Sequence, residues 1–234
     1  MAGRDAGAAG GVVDIDLDAL AWNYRRLARE APGAACGAAV KADAYGLGIA
    51  QLAPVLAREG ADPFHVATLD EGAELRAVLR DAGYPDRAIY VLNGPGPDAA
   101  ADFLAHELTP VLNSLADVTW WREAARTRET RLPAVIHLDT GMSRLGLPDD
   151  EQQRLAREPE RLAGLDLRAW MSHLACADMP EHSENSVHLA RFRTAVGRLP
   201  AAPRSLANSA GIFLGQAYHF DAVRPGIALY GGNP

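Results

Sequence analysis

The feature that most constrains this chain is a regular alternation of short apolar runs with longer amphipathic stretches. Eight apolar runs are candidate strands, at residues 35–40, 64–67, 88–92, 108–112, 134–138, 167–171, 204–206 and 219–223. Stretches with apolar residues at helical spacing lie between most of them, at residues 51–58, 69–82, 114–127, 151–157 and 185–199. Alternating strand and helix patterns are typical of parallel βαβ units.

Eight such units within about 200 residues predict an α/β protein with a TIM-like (β/α)8 barrel, a fold of about 250 residues. A doubly wound parallel sheet is the alternative fold. No sequence repeat is visible, and no Pro/Gly/Ser-rich linker divides the 234 residues. We therefore predict one barrel domain over residues 12–234, preceded by a disordered tail over residues 1–11.

A strand pattern and a helix pattern precede the first barrel unit. Residues 12–16 (VVDID) alternate in polarity like a strand, and residues 17–30 carry apolar side chains at helical spacing. Asp18 is the predicted N-cap of this helix. An additional strand before the first barrel unit does not fit a closed (β/α)8 barrel.

Charge and composition favour a small-molecule partner. The formal net charge of −7 and the pI near 5.5 argue against binding of nucleic acid or of an anionic membrane surface. No apolar run approaches the roughly 18 residues of a membrane span, and residues 1–11 lack the apolar stretch of a signal peptide. The 2 cysteines are too few for a disulfide framework, so we expect a cytoplasmic protein.

Lysine is almost absent from the chain. Lys and Arg total 23 residues, of which Lys41 is the single lysine. Lys41 follows the first barrel strand in VKADAYGLG, which places it at the C-terminal mouth where barrel enzymes have their active sites. A surface lysine closing a strand is the alternative. Because arginine stays protonated whereas lysine can become a nucleophilic amine, we predict Schiff-base chemistry at Lys41.

Two loops have the composition of a phosphate site. ANSAG at residues 207–211 follows the seventh strand, and RPGI at residues 224–227 follows the eighth. Barrels often bind phosphate in these two loops, where small residues let backbone N–H groups approach the ligand. An ordinary N-cap and turn would explain ANSAG alone. Together the loops predict a phosphorylated ligand.

Two more strand ends carry polar side chains toward the same mouth. DTGMSRLG after the fifth strand contains Arg144, and SHL after the sixth contains His173. With Arg224 they form a site whose guanidinium groups can bind phosphate, phenolate or carboxylate oxygens. The spacing of His173, Asp178, His182 and His188 fits no standard zinc pattern, so we predict no metal site.

Five segments in this order resemble the alanine racemases, pyridoxal-phosphate enzymes built on a barrel of fold type III. They are VKADAYGLG, DTGMSRLG, MSHLACAD, LANSAG and VRPGIALYG, and the resemblance runs from about residue 12 to the end. It implies that Lys41 forms the Schiff base with pyridoxal 5'-phosphate and acts as the base on one face. It also implies cofactor contacts for Tyr45, Asn208, Ser209, Gly226, Ile227 and Tyr230, with the phosphate held by all of these except Tyr230.

The resemblance implies roles for the remaining polar residues. Arg144 would contact the phenolic oxygen of the cofactor and the carboxylate of the substrate. Arg224 would pair with the pyridine nitrogen and be oriented by a hydrogen bond with His173. The chain departs from the family at His137, seven residues before Arg144: many members have there a carbamylated lysine that steadies the arginine of DTGMSRLG, and histidine cannot form that carbamate.

Family members continue into a C-terminal β domain, which is absent from this sequence. In the family that domain carries the tyrosine base for the opposite face, contributed across a homodimer, and pairs with the leading strand at residues 12–16. The predicted function is interconversion of L- and D-alanine, with this chain as the barrel domain. A single-barrel pyridoxal-phosphate-binding protein without racemase turnover is the alternative. A decarboxylase of related fold is disfavoured, because such enzymes are expected to pair the pyridine nitrogen with a carboxylate rather than with Arg224.

Overall fold

The alternation of strand and helix patterns produces a parallel barrel. The computed structural model describes residues 12–233, and in this range nine strands form one sheet in which all pairings are parallel. The strands are β1 (Ala35–Cys36), β2 (Ala38–Ala39), β3 (Phe64–Val66), β4 (Ile89–Val91), β5 (Thr109–Leu112), β6 (Leu132–His137), β7 (Leu165–Met171), β8 (Arg204–Ser205) and β9 (Ala222–Val223). From β2 to β9 each strand pairs with the next in the chain, which confirms the barrel and excludes the doubly wound sheet.

Helices connect the strands on the outside of the barrel. They are α1 (Leu17–Glu30), α2 (Lys41–Gly46), α3 (Ile49–Arg58), α4 (Leu69–Asp81), α5 (Ala100–Ala105), α6 (Leu115–Thr127), α7 (Asp149–Arg157), α8 (Glu184–Val196) and α9 (Ser209–Phe213), with short 3₁₀ turns at Pro159–Leu162, Gln216–Tyr218 and Ile227–Tyr230. The five helices predicted between strands are confirmed with ends shifted by a few residues. No helix in residues 12–233 is long and apolar enough to cross a membrane.

One predicted strand closes the barrel by bonding to both of its neighbours. The structure divides the run at residues 35–40 into β1 and β2, which flank Gly37. The N–H groups of Gly37 and Ala39 donate to carbonyls on the β9 side, at 2.9 and 2.8 Å. The N–H groups of Ala38 and Val40 donate to carbonyls on the β3 side, at 3.0 and 2.9 Å. The first segment of the barrel therefore joins the last.

Side chains of the strands fill two separate apolar cores. Inside the barrel, Val111, Val135, Ala169 and Met171 form a small buried cluster. Between the strands and the helices, a larger cluster contains the most voluminous buried side chains, among them Trp121, Trp170, Phe64, Phe103 and Phe192. Full burial of such side chains contributes roughly 1.5–3 kcal/mol each.

Residues 12–16, predicted as a strand that pairs with the C-terminal β domain of the family, form no strand in the described part of this chain. These residues are irregular, with Val12 and Val13 exposed at 64% and 77%. In the described part of the chain no strand pairs with them, and a polarity alternation without a hydrogen-bonding neighbour makes no strand. The predicted tail at residues 1–11 lies outside the described residues.

The N-cap of α1 also differs from the prediction. It is Asp16, whose carboxylate accepts hydrogen bonds from the N–H groups of Asp18 and Ala19 at 2.9 and 3.0 Å. Asp18 lies in the first turn, where its negative charge is favourable near the helix N-terminus. The helix itself spans Leu17–Glu30, the range that the pattern predicts.

Closure at Gly37 leads to a stability prediction. A Cβ atom at Gly37 would lie 2.5 Å from the Pro63 carbonyl oxygen and 3.0 Å from Cε1 of His65. Gly37→Ala should therefore lower the free energy of unfolding by about 1–3 kcal/mol, as expected for overpacking. Urea unfolding followed by tryptophan fluorescence measures the change. Gly96→Ala is the matched control, because nothing lies within 4 Å of its added Cβ atom. If Gly37→Ala and Gly96→Ala were equally stable, this result would contradict the tight packing of Gly37 where the first barrel strand joins the last.

Candidate active site

A cavity of about 650 Å³ opens at the C-terminal mouth of the barrel. Strand ends and the loops that follow them line it, as expected for a site in this fold. Of the residues predicted from the sequence, the cavity lining contains Lys41, Tyr45, Arg144, His173, Asn208, Ser209, Arg224, Gly226 and Ile227. Tyr230 is the predicted residue that the lining does not contain.

Lys41 lies at the end of the first barrel strand and is partly buried. Burial lowers the pKa of its amine, and the positive charge of Arg144 lowers it further, while Glu71 acts in the opposite direction. A lower pKa increases the fraction of uncharged amine near neutral pH. Lys41 is therefore better suited to nucleophilic chemistry than an exposed lysine.

The backbone after Lys41 forms a left-handed helical turn. The four residues Ala42 to Tyr45 have φ between 52° and 61° and ψ between 32° and 52°. This conformation costs L-residues roughly 1–2 kcal/mol each, so tertiary bonds must hold it. The Glu71 carboxylate accepts from the Ala42 N–H at 2.8 Å, and the Asp43 carboxylate accepts from the Ile49 N–H at 2.6 Å. The turn leaves Tyr45 in the lining of the cavity.

The guanidinium of Arg224 is buried without a carboxylate partner among the described residues. It donates to the Ser205 hydroxyl, to the carbonyls of Ser172 and Leu206, and to Nδ1 of His173 at 3.4 Å. Burial lowers its pKa to about 10, which still leaves the group positively charged at neutral pH. Neutral acceptors thus hold a full positive charge at the base of the cavity.

Three histidines in the lining are uncharged. Burial, followed by the positive charge of Arg224, lowers the pKa of His65 and of His137 to about 3. The same two causes, in the same order, lower the pKa of His173 well below its ordinary value. Because these values lie below neutral pH, the imidazoles add no charge, and the cationic groups of the lining are Lys41, Arg144 and Arg224. Such a cavity favours an anionic ligand.

The two loops predicted to bind phosphate are joined to each other. The Ser209 hydroxyl accepts hydrogen bonds from the N–H groups of Gly226 and Ala228, at 2.8 and 3.2 Å. Asn208 caps α9 by accepting from the Gly211 N–H at 2.9 Å. At Gly226 an added Cβ atom would collide with the Tyr45 hydroxyl, so a side chain there would displace the Tyr45 ring. The loops and Tyr45 therefore form one cradle.

Tyr230 lies behind this cradle. Its ring centroid is 4.8 Å from that of Tyr45, and its hydroxyl donates to the Ala39 carbonyl at 2.7 Å. Burial raises the pKa of Tyr230, so the phenol stays protonated and remains a donor. The structure thus shows Tyr230 supporting Tyr45 rather than facing the cavity.

The loop that carries Arg144 is fixed from below. The Asp139 carboxylate accepts from the N–H groups of Gly141 and Ser143, at 2.9 and 3.1 Å. The side-chain amide of Gln152 on α7 donates to the carbonyls of Asp139 and Leu147, at 2.8 and 2.7 Å. These bonds fold residues 139–147 into a closed loop over the end of β6.

The sequence-based interpretation missed His65 and Asn93, which line the cavity. Asp178, considered from the sequence only as a metal ligand, and His137, noted only as a departure from the family, line it as well, and Asn113 is hydrogen-bonded to His137 at 3.0 Å. Asn93 directly follows a predicted strand and His137 lies near the end of another. These positions in the sequence could have indicated that both residues line the mouth of the barrel. Within residues 12–233 no group of three or more His, Cys, Asp or Glu side chains is arranged to hold a metal ion.

These features define a class of protein: a (β/α)8-type barrel with a partly buried lysine and a cradle of two joined loops in a cationic cavity at its mouth. The family profile described as "Alanine racemase, N-terminal domain" matches residues 15–234. The chain belongs to this family, as its motifs suggested.

Individual relatives agree with the family assignment. The chain is 48% identical over 227 residues to a protein of Mesorhizobium japonicum named "Alanine racemase, catabolic", covering 97% of this chain and 58% of that protein. It is 49% identical over 225 residues to an alanine racemase of Methylobacterium nodulans, covering 96% of this chain and 59% of that protein. The chain therefore spans less than two thirds of the length of these curated relatives.

Solved structures show the same fold. The crystal structure of alanine racemase from Bartonella henselae, with covalently bound pyridoxal phosphate, matches with a TM-score of 0.88 at 40% identity and covers 93% of this chain and 62% of that chain. The structure of alanine racemase from Streptomyces coelicolor matches with a TM-score of 0.83 at 35% identity, and the match covers 94% of this chain and 60% of that chain. The predicted barrel of the alanine racemase family is confirmed.

The charge on Arg144 leads to a prediction about Lys41. Because Lys41 is the single lysine, its reaction with trinitrobenzenesulfonate can be followed by peptide mass mapping against pH. We expect its pKa to lie below that of free lysine and to rise in Arg144→Met, which removes a repelling cation. The modification rate at neutral pH should fall accordingly. Arg126→Met is the control, since Arg126 is exposed and pairs with Glu123. A pKa unaffected by Arg144→Met would contradict the electrostatic account.

Proposed function

We propose that this chain is the cofactor-binding barrel of an alanine racemase, which interconverts L- and D-alanine with pyridoxal 5'-phosphate. The observation that carries the proposal is the placement of the single lysine in a cationic cavity beside two joined loops of small residues. Alanine racemases are also the relatives with 44–49% identity, and one similar structure contains pyridoxal phosphate.

The residues present fit this cofactor. The cavity offers cations for a phosphate and a phenolate, a partly neutral amine for an aldehyde, and a glycine whose missing Cβ leaves room at the cradle. When bound, the cofactor supplies a conjugated ring that acidifies the Cα hydrogen of an amino acid attached to it. Lys41 would hold the cofactor covalently through its amine nitrogen, with the aldehyde oxygen leaving as water. Arg144 would bind the phenolic oxygen of the cofactor and the substrate carboxylate.

The cradle residues hold the phosphate. Tyr45 and Ser209 offer hydroxyl groups, and the backbone of Gly226 and Ile227 lines the same wall. Asn208 orients the loop through its cap of α9. Tyr230, given its contact with Tyr45, acts in this scheme by keeping the Tyr45 ring in place.

Arg224 would pair with the ring nitrogen in this assignment. Because its guanidinium keeps its charge, it would disfavour protonation of that nitrogen, whereas a carboxylate would favour it. His173 is uncharged and accepts a hydrogen bond from Arg224, so it orients the guanidinium without neutralising it. The pair would thereby favour return of a proton to Cα over its transfer to another carbon, and racemisation would result when the proton returns on the opposite face. Lys41 would be the group that moves this proton on one face.

The assembly and cellular setting belong to the same proposal. We expect the full-length protein to be a homodimer in the cytoplasm that serves D-alanine biosynthesis. Exposed apolar side chains support a contact with further protein, among them Trp22 at 56%, Phe213 at 50% and Ile227 at 45% exposure. A single-barrel protein that binds the cofactor without racemase turnover is the alternative.

Covalent capture of the cofactor tests the first step. After addition of pyridoxal phosphate and reduction with borohydride, the phosphopyridoxyl label should map to the Lys41 peptide. Lys41→Arg keeps the charge but removes the reactive amine, so it should abolish the label. A label confined to the N-terminal amine would overturn the proposal.

Hydrogen exchange at Cα tests the reaction and separates it from the alternative. In D₂O, the cofactor-loaded chain should incorporate deuterium into one enantiomer of alanine faster than it racemises it, because Lys41 serves one face. We expect a ratio of about 10²–10⁴, the usual contribution of one acid–base group. Mass spectrometry measures exchange, and circular dichroism measures racemisation.

The possible outcomes of this experiment are distinct. Loss of exchange in Lys41→Arg would confirm the assignment of the base. Cofactor binding without any exchange would favour the single-barrel binding protein. Racemisation as fast as exchange would show that residues of this chain serve both faces.

A further inference from the structure

The carboxylate of Glu71, in the first turn of α4, connects the ends of two neighbouring strands. Its Oε2 atom accepts hydrogen bonds from the N–H groups of Ala67 and Thr68, at 2.6 and 3.4 Å, just after β3. Its Oε1 atom accepts from the N–H of Ala42 at 2.8 Å, near the end of β2. The bonds to Oε2, with the Thr68 hydroxyl that accepts from the Glu71 N–H, form a capping box. A capping box occupies one carboxylate oxygen, so the second oxygen binds the segment after Lys41.

The bond to Ala42 fixes the backbone on the C-terminal side of Lys41. On the N-terminal side, the Val40 N–H donates to the His65 carbonyl at 2.9 Å and holds the chain to β3. The N–H that Glu71 binds belongs to the peptide that joins Lys41 to Ala42. Because a peptide group is planar, fixing this N–H also fixes the Lys41 carbonyl. Lys41 is therefore held by β3 on one side and by Glu71 on the other.

The left-handed turn depends on this bond at its first residue. Ala42 begins the four residues with left-handed backbone angles, a conformation that is unfavourable for L-residues. The side chain of Ala42 is exposed, so its packing contributes little to holding the turn. Within the described residues, the Glu71 carboxylate is the one side chain that bonds to the backbone of Ala42 to Tyr45. Loss of this bond would free the turn to relax.

Glu71 acts on Lys41 from outside the cavity. The lining of the cavity contains Lys41 but not Glu71. Burial and the charge of Arg144 lower the pKa of the Lys41 amine, and the charge of Glu71 acts against both. Glu71 therefore affects a bound ligand through Lys41, by the position of its backbone and by the charge near its amine.

We infer that Glu71 is a positioning residue, whose carboxylate holds the turn after Lys41 so that the amine and the Tyr45 hydroxyl serve the same ligand. Lys41 must reach an aldehyde carbon while the cradle that includes Tyr45 holds another part of that ligand. A relaxed turn would move these two groups relative to each other. The inference rests on the proposed function only for the identity of the ligand, pyridoxal phosphate.

Three substitutions separate the bond to the turn from the capping box and from the charge. Glu71→Gln has one acceptor oxygen, which serves the two donors at the start of α4 and turns the NH2 group toward the Ala42 N–H. Glu71→Asp keeps the charge, but its shorter side chain cannot span both sets of donors. Thr68→Ala weakens the capping box without touching the turn, so it is the matched control.

Amide hydrogen exchange at Ala42 tests the bond in the cofactor-free chain. NMR should show exchange of the Ala42 N–H about ten- to hundredfold faster in Glu71→Gln and Glu71→Asp, as expected for loss of a hydrogen bond to a charged group. Thr68→Ala should leave this exchange nearly unchanged. Thermal unfolding checks that each variant is folded, and either Glu71 variant suffices for the comparison. Equal protection of Ala42 in the parent chain and in a folded Glu71 variant would overturn the inference.

Two amine reagents separate position from charge. Trinitrobenzenesulfonate needs only an uncharged Lys41, whereas pyridoxal phosphate, trapped by borohydride, must also occupy the cradle. In Glu71→Gln the pH profile of trinitrobenzenesulfonate modification should shift to lower pH, because a stabilising negative charge is removed. Labelling of Lys41 by pyridoxal phosphate should nevertheless become about tenfold slower, as expected for loss of a hydrogen bond to a charged group. Asp70→Asn, at an exposed acid of the same helix turn, should change neither rate.

The opposite signs of these two changes distinguish a positioning role from its alternatives. Faster reaction with both reagents in Glu71→Gln would show that Glu71 acts by charge alone. Labelling as slow in Thr68→Ala as in Glu71→Gln would assign the effect to the capping of α4. Either result would overturn the inference. Absence of a Lys41 label in the parent chain would refute the proposed function alone, because Ala42 exchange and the trinitrobenzenesulfonate profile need no cofactor.

Discussion

The structure depends on the hydrogen bonding of one short segment, residues 35–40. Its N–H groups alternate between β9 and β3, so a single strand satisfies both neighbours and leaves the barrel without an open edge there. The same hydrogen bonds, which alternate between β9 and β3, also determine the position of the site. Ala39 donates to the Pro225 carbonyl and accepts from the Tyr230 hydroxyl, which holds the last loop beside the strand that ends at Lys41. Without closure, Lys41 and Arg224 would belong to opposite edges of a sheet.

The second constraint is electrostatic. Arg224 is a buried cation held by carbonyls, a hydroxyl and a neutral imidazole, an arrangement that an isolated buried charge requires in place of water. Burial, and after it the charge of Arg224, keeps the surrounding histidines neutral and so prevents them from competing for protons. The cavity consequently concentrates positive charge on a few groups that can reach a ligand. The positive charge of the cavity therefore depends on the neutral groups that surround the Arg224 guanidinium.

The sequence was sufficient to predict the site residues that project from the ends of strands or from the loops that follow them. Lys41, Arg144, His173 and Arg224 all follow such ends, and the structure brings them into one cavity. The conformation after Lys41 could not be predicted, because four L-residues adopt a left-handed turn only when Glu71, nearly thirty positions later, bonds to it.

Other details depend on geometry that a linear pattern does not contain. Tyr230 has the same motif context as Gly226, yet its hydroxyl turns to the Ala39 carbonyl, which only the closed barrel brings near. Asp16 directly precedes α1 and Asp18 lies in its first turn, and which of the two caps the helix depends on backbone angles rather than on residue type.

The left-handed turn after Lys41 is the mirror image of an ordinary right-handed helix. D-Alanine at the exposed position of Ala42, in a chemically synthesised chain, would therefore be in its preferred conformation.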